Sequence, residues 1–205
     1  MGDHMDTSPI LKERDQADSP HDRREYPHIV SLGSTRKRRI ARHDLSIYRR
    51  PIICGNRNAV WRASWYLVNV FVFQGSVVGL APGWLKATIL RAFGAKVGRG
   101  FVCKPRVTIK YPWFLEIGDN VWLGEMSWID NHCRVRLGDS VCVSQGVYLF
   151  TGNHDWNDPA FRFFCSEINV GNGAWLGAYT RVGPGSTIPS GTVLAAGEPW
   201  QPTRE

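Results

Sequence analysis

The chain lacks the cysteine pattern of a disulfide-rich or zinc-bound domain. Its five cysteines include no C-x-x-C pair, and an odd number cannot all pair within one chain. A disulfide framework and a zinc ribbon are therefore not expected, and the sequence predicts a protein of the reducing cytosol. The polar N-terminus also lacks the early apolar stretch of a secretory leader.

A clean membrane span is missing as well. The most apolar stretch, 59–80, contains Arg62, Asn69 and Gln74, whereas a spanning helix needs roughly 20 predominantly apolar residues. Pro82 follows and ends the stretch. Its length is borderline for a span, and the polar interruptions argue against one.

The whole segment 46–94 is expected to be helical and either apolar or amphipathic. In its last part Leu85, Ile89 and Phe93 share one face of a short helix, which Gly94 would end. Two interpretations stay open. The helices could pack on the main domain, or they could lie in a membrane interface with tryptophans at the boundary.

The N-terminal stretch 1–45 is charged, contains proline and is poor in apolar residues, which predicts a disordered basic arm. The net charge of +7 suggests an anionic partner or surface but has no bearing on the fold. A basic cluster at 36–42 could contact acidic lipid or belong to a solvated arm. Nucleic acid is not expected as a partner, because that interpretation would rest on this cluster alone.

From Val97 onwards, aliphatic residues recur at intervals of six. A period of six suits neither an ordinary α-helix nor a series of hairpins, and it is typical of a hexapeptide β-helix. Steps of 20 residues from Val97 to Ile117 and from Ile117 to Leu137 predict coils of three hexapeptides with about two extra corner residues. The sequence therefore predicts an all-β fold, a parallel β-helix over 95–205. The residues expected to point inward are Val97, Ile117, Leu123, Ile129, Val135, Leu137, Val143, Leu149, Val170, Leu176, Val182, Ile188 and Leu194.

The repeat breaks between Leu149 and Val170, which lie 21 residues apart where six would continue the pattern. An inserted loop is therefore expected at 150–169. Loops carried by a rigid scaffold are common sites of function. This loop contains the phrase TGNHDW and several phenylalanines, which predict packing on a neighbouring subunit or on a ligand.

The chain resembles the left-handed parallel β-helix acyltransferases of the hexapeptide-repeat superfamily in four stretches: LRAFGAKVGRG, KPRVTIKYPWFLEIGDNVWLG, VCVSQGVYLFTGNHDW and INVGNGAWLGAYTRVGPGSTIPSGTVLAAG. Within that superfamily it is similar to the colanic-acid-type acetyltransferases that modify exopolysaccharides. The resemblance covers about residues 60–197. It implies left-handed coils, a homotrimer, and acetyl-CoA bound as co-substrate in the groove between adjacent subunits, with no metal.

The resemblance implies transfer of an acetyl group to a sugar hydroxyl, for which a base must take the hydroxyl proton. Histidine suits that role near neutral pH, and only His132 and His154 lie in the repeat region. His154, in the T-G-x-H-D phrase of the family, is the expected general base. Asp155 is assigned to the substrate site, where it would orient the imidazole; an ordinary Asx turn is the alternative.

The acceptor site is expected one coil earlier. Related sugar acetyltransferases carry an acidic residue there, and His132 stands at that position in this chain, which suggests a different acceptor. Asp130 and Asn131 could substitute for the acidic residue or be ordinary corner residues. The expected cofactor-binding residues are Trp175, Gly177, Ala178 and Ala196.

The expected function is that of an acetyl-CoA-dependent O-acetyltransferase. Its acceptor would be an exopolysaccharide precursor or a lipid-linked oligosaccharide, met in the cytoplasm or peripherally at the inner membrane face. Two alternatives stay open. The family continues past AAG with a closing coil where this chain has EPWQPTRE, so an inactive trimeric scaffold is one of them. A metal enzyme of the γ-carbonic-anhydrase type is the other, although it needs three histidines where the repeat region holds two.

Overall fold

The computed structural model describes residues 44–49, 57–75, 80–155 and 158–200. From Lys96 onwards the chain winds into a left-handed parallel β-helix, which confirms the predicted fold. Each coil adds short strands to three parallel sheets, here called sheets I, II and III. The chain passes through them in the order I, II, III, so the solenoid has I–II, II–III and III–I corners.

The sheets are built from strands of two or three residues. Sheet I consists of β1 (Lys96–Val97), β4 (Leu115–Ile117), β7 (Val135–Leu137), β12 (Ile168–Val170) and β15 (Thr187–Ile188). Sheet II consists of β2 (Val102–Cys103), β5 (Trp122–Leu123), β8 (Cys142–Val143), β13 (Trp175–Leu176) and β16 (Val193–Leu194). Sheet III consists of β3 (Thr108–Ile109), β6 (Trp128–Asp130), β9 (Tyr148–Phe150) and β14 (Arg181–Val182).

The core is a column of stacked aliphatic side chains. Each of the recurring residues predicted to point inward is buried, with no more than 9% of its surface exposed. Parallel pairing places like on like, as where Ile117 aligns with Leu137 and Leu123 with Val143. Burying one such side chain contributes about 1.5–3 kcal/mol to stability. The residues at six-residue intervals therefore form most of the packed core of the solenoid wall.

The extra residues of the longer coils all lie at the III–I corner. Leu137 follows Ile129 by eight positions, whereas Ile188 follows Val182 by six. The inserted segment after Leu149 leaves the solenoid at the same corner. This corner is therefore the irregular edge of an otherwise regular prism.

Two helices precede the solenoid and cover its first coil. Helix α1 (Ala59–Val68) begins at Asn58, whose side chain accepts a hydrogen bond from the N–H of Trp61, and it continues as a π-helical segment, Asn69–Gln74. Helix α2 spans Gly83–Ala92. Among these residues Trp65 is buried and donates its indole N–H to the carbonyl oxygen of Ile109 at 2.9 Å.

Side chains of the helical segment satisfy the open edge of the first coil. The ammonium of Lys86 is fully buried and donates to the carbonyl oxygens of Cys103 at 2.8 Å and Lys104 at 3.3 Å. Arg91 donates to the carbonyl oxygen of Val97, and Asn69 accepts from the N–H of Ile109. An uncovered strand edge would be a template for pairing with another chain, so these contacts close the end of the solenoid. Burial lowers the pKa of Lys86.

The helical segment both packs on the solenoid and leaves apolar side chains exposed. The ring of Trp61 packs against Phe93 with centroids 4.9 Å apart, whereas Trp84 is 70% exposed. Within the described residues, no helix is long and apolar enough to cross a membrane. The predicted arm lies outside the described residues, apart from its last two positions.

The far end of the solenoid is covered by an aromatic residue. Pro199 pairs in parallel with Arg181, and the N–H of Trp200 donates to the carbonyl oxygen of Arg181 at 2.7 Å. The half-buried Trp200 packs against the core. Sheet III thus continues below β14 through Pro199.

Candidate active site

The insertion between sheets III and I contains an antiparallel hairpin. Strand β10 (Gly152–His154) pairs with β11 (Phe163–Cys165), and His154 lies opposite Phe163. The chain then returns to sheet I through β12. The hairpin therefore places His154 on a two-stranded sheet separate from the three parallel sheets of the solenoid.

The imidazole of His154 is held by the other side of the hairpin. Its Nδ1 lies 2.7 Å from the carbonyl oxygen of Phe161, and its ring stacks on the Phe161 ring with centroids 4.2 Å apart. Phe163 meets the imidazole edge-on at 5.3 Å. A carbonyl oxygen can only accept, so Nδ1 carries a proton, and in the neutral form of the ring the lone pair is on Nε2. In this tautomer Nε2 can accept a proton, as a general base must.

A segment before the helices also touches the hairpin. The ring of Tyr48 lies 5.4 Å from the imidazole of His154, and the N–H of Asp44 donates to the carbonyl oxygen of Pro159 at 2.8 Å. The contact of Tyr48 was not predicted, because nothing in its local sequence indicates a partner more than one hundred residues along the chain. The half-buried imidazole is therefore surrounded by three aromatic rings.

Asp155 follows His154 but faces a different partner. Its carboxylate lies 3.6 Å from the guanidinium of Arg162, and its N–H donates to the carbonyl oxygen of Arg162 at 2.8 Å. The contact that orients the imidazole through Nδ1 is made by the Phe161 carbonyl. A substrate role for Asp155 stays a prediction.

His132 lies in a charged cluster next to the hairpin. Its Nε2 is 2.9 Å from the ammonium of Lys110, which is also 2.7 Å from a carboxylate oxygen of Asp130. Burial and then the charge of Lys110 lower the pKa of His132. Because Lys110 can only donate, Nε2 of His132 accepts and the ring is neutral. The ring of Phe163 connects the two histidines, since it lies 4.9 Å from His132 and also contacts His154.

Asn131 and Thr151 hold the III–I corner together. The fully buried amide of Asn131 accepts from the N–H of Tyr111 at 2.9 Å and donates to its carbonyl oxygen at 2.7 Å. The Thr151 hydroxyl accepts from the N–H groups of His132 and Cys133. These bonds give Asn131 a structural task, and its predicted acceptor contact stays a prediction.

The predicted cofactor residues lie together on the last two coils. Trp175 is 48% exposed, and its indole N–H donates to the hydroxyl of Ser144 at 2.9 Å. A Cβ at Gly177 would overlap the carbonyl oxygen of Leu194, so packing alone requires glycine there. The carbonyl oxygen of Ala178 accepts from Gly197, the residue after Ala196.

These two groups of residues occupy different edges of the prism. Gly177, Ala178 and Ala196 follow strands of sheet II, at the II–III corner, whereas His132 and His154 lie at the III–I corner. Sheet III separates the two corners, and the rings of Trp128 and Tyr148 pack together on its outer side with centroids 4.9 Å apart. One chain therefore does not bring the predicted base and the predicted cofactor residues together.

Among the described residues, no group of three His, Cys, Asp or Glu side chains could hold a metal ion. Fold and site together define the class: a hexapeptide-repeat β-helix with a histidine presented on an inserted hairpin. No protein-family model matches the chain.

A protein of Escherichia coli strain K12 named as the colanic acid biosynthesis acetyltransferase WcaF is 36% identical over 153 residues, which cover 75% of this chain and 83% of that protein. The chain therefore belongs to the hexapeptide-repeat acetyltransferases and, within them, to the colanic acid biosynthesis type, as the sequence resemblance predicted.

Two solved structures share the fold. A hexapeptide-repeat acetyltransferase of Vibrio cholerae complexed with acetyl-CoA superposes with a TM-score of 0.61 at 16% identity, covering 69% of this chain and 76% of that one. A galactoside acetyltransferase in complex with coenzyme A gives 0.60 at 22% identity, covering 67% of this chain and 69% of that one. At these identities the likeness concerns the fold.

Proposed function

We propose that the chain transfers the acetyl group of acetyl-CoA to a sugar hydroxyl of an exopolysaccharide precursor, with His154 as the general base. The observation that carries this assignment is the 2.7 Å contact of His154 Nδ1 with the Phe161 carbonyl oxygen, which leaves Nε2 available for a proton. Support for the donor comes from the relatives, two of which are structures with acetyl-CoA or coenzyme A.

The reaction needs no covalent intermediate on the protein. Nε2 of His154 takes the hydroxyl proton while the oxygen attacks the thioester carbonyl carbon, and backbone N–H groups would stabilise the oxyanion. The C–S bond then breaks as the ester forms. The imidazolium returns its proton to the departing thiolate, so the base is regenerated.

The donor groove is proposed at Trp175, Gly177, Ala178 and Ala196. Small residues at this corner leave the main chain accessible to the pantetheine arm, and Trp175 offers an exposed ring beside it. Since His154 lies on another edge of the prism, the groove of one chain needs the hairpin of a second. This requirement supports a homotrimer, as does the outward-facing Trp122, which is 54% exposed.

Peripheral contact with an anionic membrane is proposed as the setting in which a lipid-linked acceptor is met. Residues 45–115 contain 11 lysines and arginines and no aspartate or glutamate. The same region exposes apolar side chains, including Val60, Phe71 and Trp84, at 65–75%. Basic residues together with exposed apolar groups are the combination that binds anionic lipid surfaces. Co-sedimentation with anionic vesicles but not with neutral ones is the expected result.

Substitution of the base tests the assignment. His154→Gln should lower turnover by about 10²–10⁴-fold and leave the affinity for CoA unchanged, because general-base catalysis is worth that range. Phe164→Leu is the matched control, since Phe164 lies on the same hairpin and is 43% exposed. Steady-state kinetics and CoA titration calorimetry measure both. Wild-type turnover by His154→Gln would falsify the proposed role.

A further inference from the structure

A pocket of about 470 Å³ lies between helix α1 and the outer side of sheet III. We propose that it binds the anionic part of an acidic saccharide acceptor, a uronic acid carboxylate or a sugar phosphate. This inference rests on the proposed function, since it identifies the acceptor of the same site. The residues that carry it are Arg62, Tyr66, Asn69, Thr108, Lys110 and Trp128.

The walls have the composition of a carbohydrate site. Tyr66 and Trp128 are 66% and 46% exposed, so flat aromatic surfaces are available to the C–H face of a pyranose ring. The Trp128 ring packs against the ring of Tyr148 on the next coil, with centroids 4.9 Å apart. Thr108 and Asn69 add hydroxyl and amide groups to the lining. A few polar groups in an otherwise apolar pocket are what fixes the orientation of a bound ligand.

The charge of the pocket selects an anion. Arg62 and Lys110 are the charged residues among the described lining, and none of the described lining residues is an aspartate or glutamate. The nearest acidic contact of Lys110 is Asp130, 2.7 Å from its ammonium and outside the lining. A guanidinium matches the geometry of a carboxylate or phosphate, and charge-assisted hydrogen bonds are stronger than neutral ones.

The position of the pocket connects it to the candidate site. Lys110 contributes to the pocket wall and also contacts Nε2 of His132 at 2.9 Å. His132 in turn packs on Phe163, which packs on His154. Lys110 and His132 therefore connect the wall of the pocket to Phe163, one of the rings that contact the proposed base.

Direct binding measurements separate this inference from the catalytic one. Methyl β-glucoside, methyl β-glucuronide and glucose 1-phosphate would each be titrated into the intact protein by calorimetry. At least one acidic ligand should bind about tenfold or more tightly than the neutral glucoside, and the advantage should shrink with added salt. Preference for the glucuronide indicates a uronic acid, and preference for the phosphate indicates a sugar phosphate. Equal binding of all three, or no binding of either acid, overturns the proposal.

Variants of two arginines localise the effect. Arg62→Gln should remove the preference for the acidic ligand and leave binding of CoA unchanged. Arg57→Gln is the matched control. It removes the same charge next to the beginning of α1, and Arg57 is not one of the lining residues of the pocket. An acid preference that survives in Arg62→Gln contradicts the assignment of the pocket. Loss of turnover in His154→Gln tests the proposed function independently.

Discussion

The wall of the solenoid and the inserted hairpin place their side chains by different means. In the wall, residues such as Leu149 are completely buried between coils above and below, and any aliphatic side chain of similar volume suits the position. In the hairpin, His154 is half-buried and depends on one carbonyl oxygen and three rings. The wall tolerates exchange of like for like, whereas the hairpin depends on particular contacts.

The largest expected effect concerns the stability of the wall. Leu149→Ala should lower the free energy of unfolding by about 2–5 kcal/mol, because it leaves a cavity in the stacked core. Phe164→Ala in the hairpin should cost much less, since Phe164 is 43% exposed. Urea unfolding of both variants makes the comparison, and equal losses would contradict the distinction between wall and hairpin.

The second prediction concerns geometry in the hairpin. A Cβ at Gly152 would lie 2.5 Å from the Phe163 ring and 3.0 Å from the His132 ring, so both rings must shift in Gly152→Ala. Because Phe163 also contacts His154, we expect kcat to fall by up to about 10²-fold, as small misplacements of catalytic groups do. The Kd for CoA and the unfolding midpoint should change little. A wild-type kcat would show that Phe163 does not position the base.

The third prediction concerns the helical cover of the first coil. Lys86→Met keeps the length of the side chain but leaves the carbonyl oxygen of Cys103 without this donor. An unsatisfied buried acceptor costs about 1–3 kcal/mol, which thermal unfolding would detect. Lys96→Met is the control, because the Lys96 side chain is 78% exposed, and its stability should stay within about 0.5 kcal/mol of wild type.

The smallest expected effect is a pH dependence at His132. Its pKa is lowered in the folded state by burial and by Lys110, so the unfolded chain binds the proton more readily. The contribution of the neutral ring to stability is present above the unfolded pKa, about 6.5. It is lost as the pH falls through that value towards the folded pKa. Denaturation midpoints from pH 8 to pH 5 should fall more steeply for wild type than for His132→Gln. Parallel curves would show that His132 does not contribute.

Much of the fold followed from a single periodicity. The six-residue spacing from Val97 to Leu194 predicted the buried column, and the gap after Leu149 located the insertion. The candidate base was identified by the T-G-x-H-D phrase. The substrate and cofactor roles stay predictions for Asn131, His132, Asp155 and the cofactor residues. Asn131 also has a structural task, and the cofactor residues lie on a different edge from His154.

Other features had no local signal. The contact of Tyr48 with His154 joins residues far apart in the chain, and the buried Lys86 reads in sequence as an ordinary helical lysine. The pocket beside Arg62 needs helix α1, sheet III and the Lys110 corner to meet. None of these contacts follows a period, so no repeat could reveal them.

The sequence by itself determined the repeat, because stacked coils must bury an aliphatic side chain at every sixth residue. This requirement is visible in the local sequence. Only the tertiary structure decided which ring nitrogen of His154 faces the Phe161 carbonyl oxygen, which groups close the first coil, and which edge of the prism each site residue occupies. Those properties depend on atoms brought together from distant parts of the chain, and hydrogen bonds and electrostatic contacts act only at the distances that folding sets.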